Sequence, residues 1–168
     1  MHSIKTKNSK ALILKVDLKK AFDCIDWDFL RLILTQSGFS QSSIKWITSC
    51  VVSKKFVVLF NGESSTFFHS GRELRKGCPL SPLLFILVME VLSLLLKKGQ
   101  EEGKISRIKV SRIFKVLHLV FVYDVLIMTN DTLQKWREIK EILKTFYSAT
   151  GLLINWTKST LHYANLQD

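Results

Sequence analysis

The run His118-Leu119-Val120-Phe121-Val122-Tyr123-Asp124-Val125-Leu126-Ile127-Met128 constrains this chain more than any other stretch. It is almost wholly apolar, and Asp124 is the lone carboxylate at its centre. An acid inside a buried strand is costly unless a partner, a metal ion or a tight turn accommodates it. Two readings stay open at this level. Asp124 is a site residue, or Tyr123-Asp124 is the turn of an apolar hairpin.

A second run, Ala11 to Val16, is rich in strand formers and breaks off at Asp17. Beyond it, the apolar positions Phe22, Ile25, Phe29, Leu30, Ile33 and Leu34 follow helical spacing, and Gly38 stands where a helix would stop. The segment therefore reads strand, turn, helix. Asp26 and Asp28 suit the cap and first turn of that helix. Asp17 has no such role, because it directly follows the buried run.

The intervening chain predicts a short helix over Ser42–Val52. Phe56–Phe60 and Ser65–Phe68 form a hairpin around Asn61-Gly62, a strong turn signal. Next comes a basic loop, Gly71 to Pro82, in which cations and glycines precede an expected helix with Ser81 as cap and Pro82 as first residue. Such a loop is either a phosphate cradle or a solvated connection. The helix is expected to end near Lys98, with Gly99 beyond it and a charged link to Lys104. Its apolar core, Pro82 to Leu96, is interrupted by Glu90 and is shorter than the roughly 20 residues of a membrane span, so a buried helix is expected and no membrane partner. An amphipathic helix capped by Asn130, Asp131 or Thr132 carries Leu133, Trp136, Ile139, Ile142, Leu143, Phe146 and Tyr147 on one stripe. Leu152–Ile154 and Ser159–Tyr163 are final short strands.

Lysine and arginine total 25 against 14 acids, a net charge of +11, which favours an anionic partner and above all nucleic acid. Cys24, Cys50 and Cys78 are widely spaced, without the pairs of a zinc site or disulfide framework. Residues 1–10 are polar and basic, are expected to be flexible, and lack the apolar core of a secretory signal. An intracellular protein, nuclear or cytoplasmic, is expected.

Four stretches, in this order, resemble the reverse transcriptase domain of LINE-type (non-LTR) retrotransposons. Lys15-Val16-Asp17-Leu18-Lys19-Lys20-Ala21-Phe22-Asp23-Cys24-Ile25-Asp26-Trp27 is similar to the family's first palm motif, and Arg75-Lys76-Gly77-Cys78-Pro79-Leu80-Ser81-Pro82 to its R-Q-G-D-P-L-S-P loop. Phe121-Val122-Tyr123-Asp124-Val125 resembles its F-A-D-D-V turn, and Gly151 to Ser159 its G-L-K-I-N-x-x-K-S segment. The resemblance implies an α+β fold: a palm-like antiparallel sheet carrying Asp17 and Asp124, with helices on one face. It also implies that residues 1–168 form a single, partial domain, a palm with remnants of fingers.

It further implies RNA-directed DNA synthesis on an RNA template and DNA primer from nucleotide triphosphates. In that chemistry two Mg2+ ions about 3.5–4 Å apart clamp the attacking and leaving oxygens. By resemblance Asp17 and Asp124 are the metal-binding, catalytic carboxylates, and they should lie on adjacent strands. Phe22 matches the residue under the sugar; Arg75, Lys76 and Gly77 match the loop near nucleotide and template; Lys158 matches a lysine near the triphosphate. Tyr123, however, stands where the family has an aspartate, and a phenol is neutral at pH 7 and a poor magnesium ligand. Val122, Lys76 and Cys78 depart from the pattern as well. The expected function is therefore polymerisation by descent, weak or absent in this chain. The alternatives are a non-catalytic basic nucleic-acid-binding remnant and a functionless pseudogene product.

Overall fold

Alternation along the first strand sets the architecture. In β1 (Ala11–Lys19), Leu12, Leu14, Val16 and Leu18 are buried while Ile13, Lys15 and Asp17 are half-buried, the period-two pattern of a strand with one face on a core. β7 (Asp124–Thr129) repeats it, burying Val125, Ile127 and Thr129 and leaving Asp124, Leu126 and Met128 half-buried. The two strands run antiparallel from Leu12 opposite Thr129 to Asp17 opposite Asp124. β6 (His118–Phe121) joins β7 through a tight turn at Val122-Tyr123. On the other side of β1 lie β8 (Leu153–Ile154) and β9 (Thr160–Ala164), both antiparallel to it. This computed structural model describes residues 11–53, 55, 57–68, 71–75, 77–109, 114–129 and 133–164. Residues 1–10, expected to be flexible, lie outside them, as do Phe56, Lys76 and the expected cap at Asn130 to Thr132.

The chain divides into two compact units, one comprising residues 1–21 with 89–168 and the other Phe22–Val88. In the first, the sheet's buried face meets helices. His118 lies opposite the buried Ile127, and its Nε2 is 2.9 Å from Ser93 Oγ of α3 (Leu80–Glu101). Ile139, Leu143 and Phe146 of α4 (Leu133–Thr150) are buried. Two further short strands, β4 (Ile108–Lys109) and β5 (Lys115–Val116), pair with each other. The result is an α+β fold with a palm-like antiparallel sheet.

In the second unit, α1 (Trp27–Gln36) begins as the sequence suggests, with Asp26 accepting from the N–H groups of Asp28 and Phe29. Asp28 instead pairs with Arg31 at 2.9 Å. α2 (Gln41–Val52) is capped by Ser40. The hairpin shrinks to β2 (Leu59–Phe60) and β3 (Glu63–Ser64), with Asn61 and Gly62 at φ 51° and 86° in a primed turn.

The bounds of β1 and α3 also differ from the sequence reading. β1 continues past Asp17, because Leu18 and Lys19 find partners in Ile154 and Leu153 of β8. α3 starts at Leu80, placing Ser81 and Pro82 within its first turn, where proline's missing N–H costs nothing. The same helix runs through Gly99 to Glu101. A Cβ at Gly99 would meet Ile142 Cδ1 at 2.7 Å, so the glycine serves close packing of α3 on α4 rather than termination. At 22 residues α3 is long and apolar enough to cross a membrane by length and composition alone. Its Leu84, Phe85, Val88, Met89, Leu92 and Leu96 are buried in this fold, while Leu83, Ile86, Leu94 and Glu90 are exposed.

Candidate active site

Strand pairing brings the two sequence-selected carboxylates together. Asp17 and Asp124 are direct cross-strand partners, so both side chains stand on the half-exposed face of the sheet, with Cβ atoms about 5 Å apart. The turn before Asp124 is Val122-Tyr123, so Asp124 is the first residue of β7 rather than part of the turn itself. Lys15 shares this face by the same alternation. Its Nζ lies 3.2 Å from Asp124 Oδ1, with both side chains nearly half exposed. One ammonium thus faces a pair of carboxylates. The period-two pattern of β1 held the signal for Lys15, which the sequence reading quoted in its motif without assigning it a role.

The backbone under this pair is fully engaged. Asp17 N–H donates to Ser159 Oγ at 3.1 Å, and Asp17 C=O accepts from Asn155 N–H at 2.9 Å. Ser159 Oγ in turn donates to Asn155 C=O at 2.8 Å. Leu18 N–H reaches across to Tyr123 C=O at 3.2 Å, tying β1 to the turn. The turn is strained: Val122 has φ 53°, a conformation in which a β-branched side chain is disfavoured. Tyr123 itself is 42% exposed. Lys158 is exposed in the turn between β8 and β9, where its N–H donates to Asn155 C=O.

The remaining sequence-selected residues belong to the second unit. The Phe22 ring packs on Phe85 with centroids 5.1 Å apart, and Phe22 C=O accepts from Leu74 N–H at 2.7 Å. Trp27 Nε1 donates to Glu73 C=O at 3.0 Å. The segment after β1 thereby anchors the basic loop just ahead of α3. In that loop Arg75 and Gly77 are exposed, Gly77 at φ 80°, and Lys76 lies outside the described residues. Cys78 sits at the start of α3. The Leu80 N–H above all, then the Ser81 N–H and hydroxyl and the Arg75 charge, hold its thiol below the ordinary range against partial desolvation.

Two facing, half-exposed carboxylates suit one hard cation such as Mg2+, whose coordination is completed by water or phosphate oxygens. Among the described residues no cluster of three or more His, Cys, Asp or Glu side chains forms. The donor set therefore fits one divalent ion and not a two-ion clamp.

The family model for reverse transcriptase (RNA-dependent DNA polymerase) matches residues 1–167. The chain is 26% identical over 162 residues to an uncharacterized 149 kDa protein of transposon TX1 from Xenopus laevis, covering 95% of this chain and 12% of that protein. It is 44% identical over 72 residues to an uncharacterized mitochondrial protein of Arabidopsis thaliana, covering 41% of this chain and 59% of that one. The chain therefore spans only part of either relative. Among solved structures it is similar to telomerase from Candida tropicalis in complex with a TWJ fragment of telomeric RNA, at TM-score 0.71 and 13% identity over 96% of this chain and 27% of that one. A Candida albicans telomerase structure, also with a TWJ fragment, gives TM-score 0.70 and 15% identity over 99% of this chain and 29% of that one. These structural likenesses support the palm-type fold. With its sheet and a match along nearly its whole length, the chain belongs to the reverse transcriptase (RNA-dependent DNA polymerase) family.

Proposed function

We propose that this chain is an RNA-directed DNA polymerase domain of retrotransposon origin whose nucleotidyl-transfer site is impaired at Tyr123. The observation that carries the proposal is the pairing of Asp17 with Asp124 directly behind a turn that ends in a phenol. Asp17 and Asp124 would hold a divalent ion, which when bound supplies charge neutralisation at the reacting phosphate. Phe22 would lie under the incoming sugar. Arg75, Lys76 and Gly77 would meet nucleotide and template, and Lys158 the triphosphate. A neutral side chain at position 123 removes one negative charge from a site that must bind cations. Losses of this kind cost several kcal/mol, at about 1.4 kcal/mol per tenfold in rate.

A second reading rests on the net charge of +11: a non-catalytic domain held to nucleic acid by its basic surface. Affinity would then fall steeply with salt and show little sequence preference.

Primer extension with Mg2+ or Mn2+ separates the two. The unmodified chain should extend a primer weakly or not at all, and Tyr123→Asp should raise incorporation. Robust incorporation by the unmodified chain, abolished by Asp17→Ala, would overturn the impairment. A Tyr123→Asp chain that binds primer-template and stays inert would favour the second reading.

A further inference from the structure

A cavity of about 370 Å3 opens at the far end of β6 from the Val122-Tyr123 turn, between the second half of α3 and the β5–β6 segment. Its wall includes His118, three residues back along β6 from Phe121, the partner of Asp124. At roughly 3.4 Å per residue it lies about 10 Å from the carboxylate pair, and His118 points to the opposite, helix-covered face. The cavity is therefore separate from the candidate active site.

Its lining is chemically mixed in a specific way. Lys97, Arg107 and Lys115 supply three cations against the single carboxylate of Glu90. The ring of Phe114 is 60% exposed at the rim. His118 bonds Ser93 through Nε2, while its Nδ1 is buried and lacks a partner. Burial first of all holds the His118 pKa below its ordinary value, so the ring is neutral near pH 7 and adds no charge to the wall. An occupant must therefore bring an anion and a flat apolar surface together. The volume falls in the range of about 300–1,000 Å3 typical of small-ligand sites.

We propose that this cavity receives one unpaired nucleotide of a single-stranded nucleic acid. The base stacks on the exposed ring of Phe114. The phosphate lies among Lys97, Arg107 and Lys115, and Glu90 accepts from an exocyclic amine or ribose hydroxyl. A paired base fails, because its edge is already bonded and its faces are covered by neighbouring bases. The site gives the domain a grip on a strand that requires neither the carboxylate pair nor a metal.

The test uses the full chain in EDTA, with fluorescence anisotropy of a labelled eight-nucleotide RNA, a DNA of the same sequence and the corresponding duplex. Phe114→Ala should weaken single-strand binding about tenfold, within the range measured for a base stacked on an aromatic ring. Arg107→Glu and Lys115→Glu, each made singly, should weaken it as well, while the charge-matched Lys144→Glu on α4 should change it less than about twofold. Phe114, Arg107 and Lys115 are all exposed, and thermal melts of the variants verify their folding. Weakening of the RNA alone, the DNA alone or both supports the site and identifies the strand it takes. Equal affinity of Phe114→Ala and the unmodified chain, equal effects of Lys144→Glu and the pocket variants, or no single-strand binding would overturn it. No primer extension is involved, so the outcome is independent of whether the chain polymerises.

Discussion

Replacing Lys15 by methionine keeps the side-chain stem and removes the ammonium that pairs with Asp124. Asp17 and Asp124 face each other across about 5 Å. At the intermediate dielectric of a half-exposed site, two unit charges at that distance repel by about 1 kcal/mol. The Lys15–Asp124 ion pair, with both partners over 40% exposed, adds about 0.5 kcal/mol. Lys15→Met loses that ion pair and leaves the repulsion between the aspartates unchanged, so it should cost about 0.5 kcal/mol in low-salt EDTA. For 168 residues, at an unfolding entropy near 2.1 cal/mol/K per residue, that is a fall in Tm of about 1.5 °C. Salt should shrink the difference, since the site is open to screening. Mg2+ should do more: with the ammonium gone, a divalent ion is the remaining way to neutralise the pair, so its stabilisation should be larger in Lys15→Met than in the parent chain. Differential scanning calorimetry in EDTA, in 0.5 M salt and in a magnesium titration reads all three quantities. A variant that melts no lower than the parent in EDTA, or gains no more from Mg2+ than the parent does, would refute the reasoning.

Other perturbations follow from the same geometry. Val122→Gly should raise Tm by about 2 °C, because relief of a left-handed valine, worth about 1–2 kcal/mol, exceeds the roughly 0.5–1 kcal/mol of added chain entropy; a lower Tm would show that the valine side chain holds the turn. The Tyr147 hydroxyl is buried without a partner and burial pushes its pKa up, so Tyr147→Phe should stabilise by about 1 kcal/mol in urea melts. The depressed Cys78 thiol should be alkylated by iodoacetamide with its rate rising at lower pH than an ordinary thiol, read by mass spectrometry. An onset at the ordinary thiol value would contradict the hydrogen bonds drawn from Leu80 and Ser81.

What the sequence made legible was local and periodic. The alternation of Leu12, Leu14, Val16 and Leu18 marks β1 and its buried face, and Asn61-Gly62 marks the hairpin turn between β2 and β3. The same alternation places Asp17 on the open face, so only strand order and register were needed to set it beside Asp124. Neither can be read from a period of two. What stayed illegible depends on contacts far along the chain. Gly99 looks like a terminator until Ile142 is found 2.7 Å from where its Cβ would stand. β1 outlasts Asp17 because β8, more than 130 residues later in the chain, supplies partners for Leu18 and Lys19. The cavity at His118 is invisible in sequence for the same reason, as its wall joins α3 to β5 and β6.

The residues that carry the family likeness divide between those whose side chains do chemistry and those that close the fold. Asn155 and Ser159 belong to the second kind: they satisfy both backbone groups of Asp17, and Ser159 does so through its hydroxyl. Phe22 and Leu74 fasten the basic loop through a ring contact and a main-chain bond. Position 123 divides within a single residue. Its carbonyl accepts from Leu18 N–H and so helps to hold β1 to the β6–β7 turn, a task that any amino acid performs equally. Its side chain, 42% exposed, immediately precedes Asp124 in the chain, and a neutral phenol there is a poor ligand for magnesium where a carboxylate would be a good one. On the proposed reading, tyrosine in place of aspartate at this position leaves the sheet's hydrogen bonding intact while removing a charge from the site, and the primer-extension phenotype of Tyr123→Asp measures how much activity that single charge accounts for.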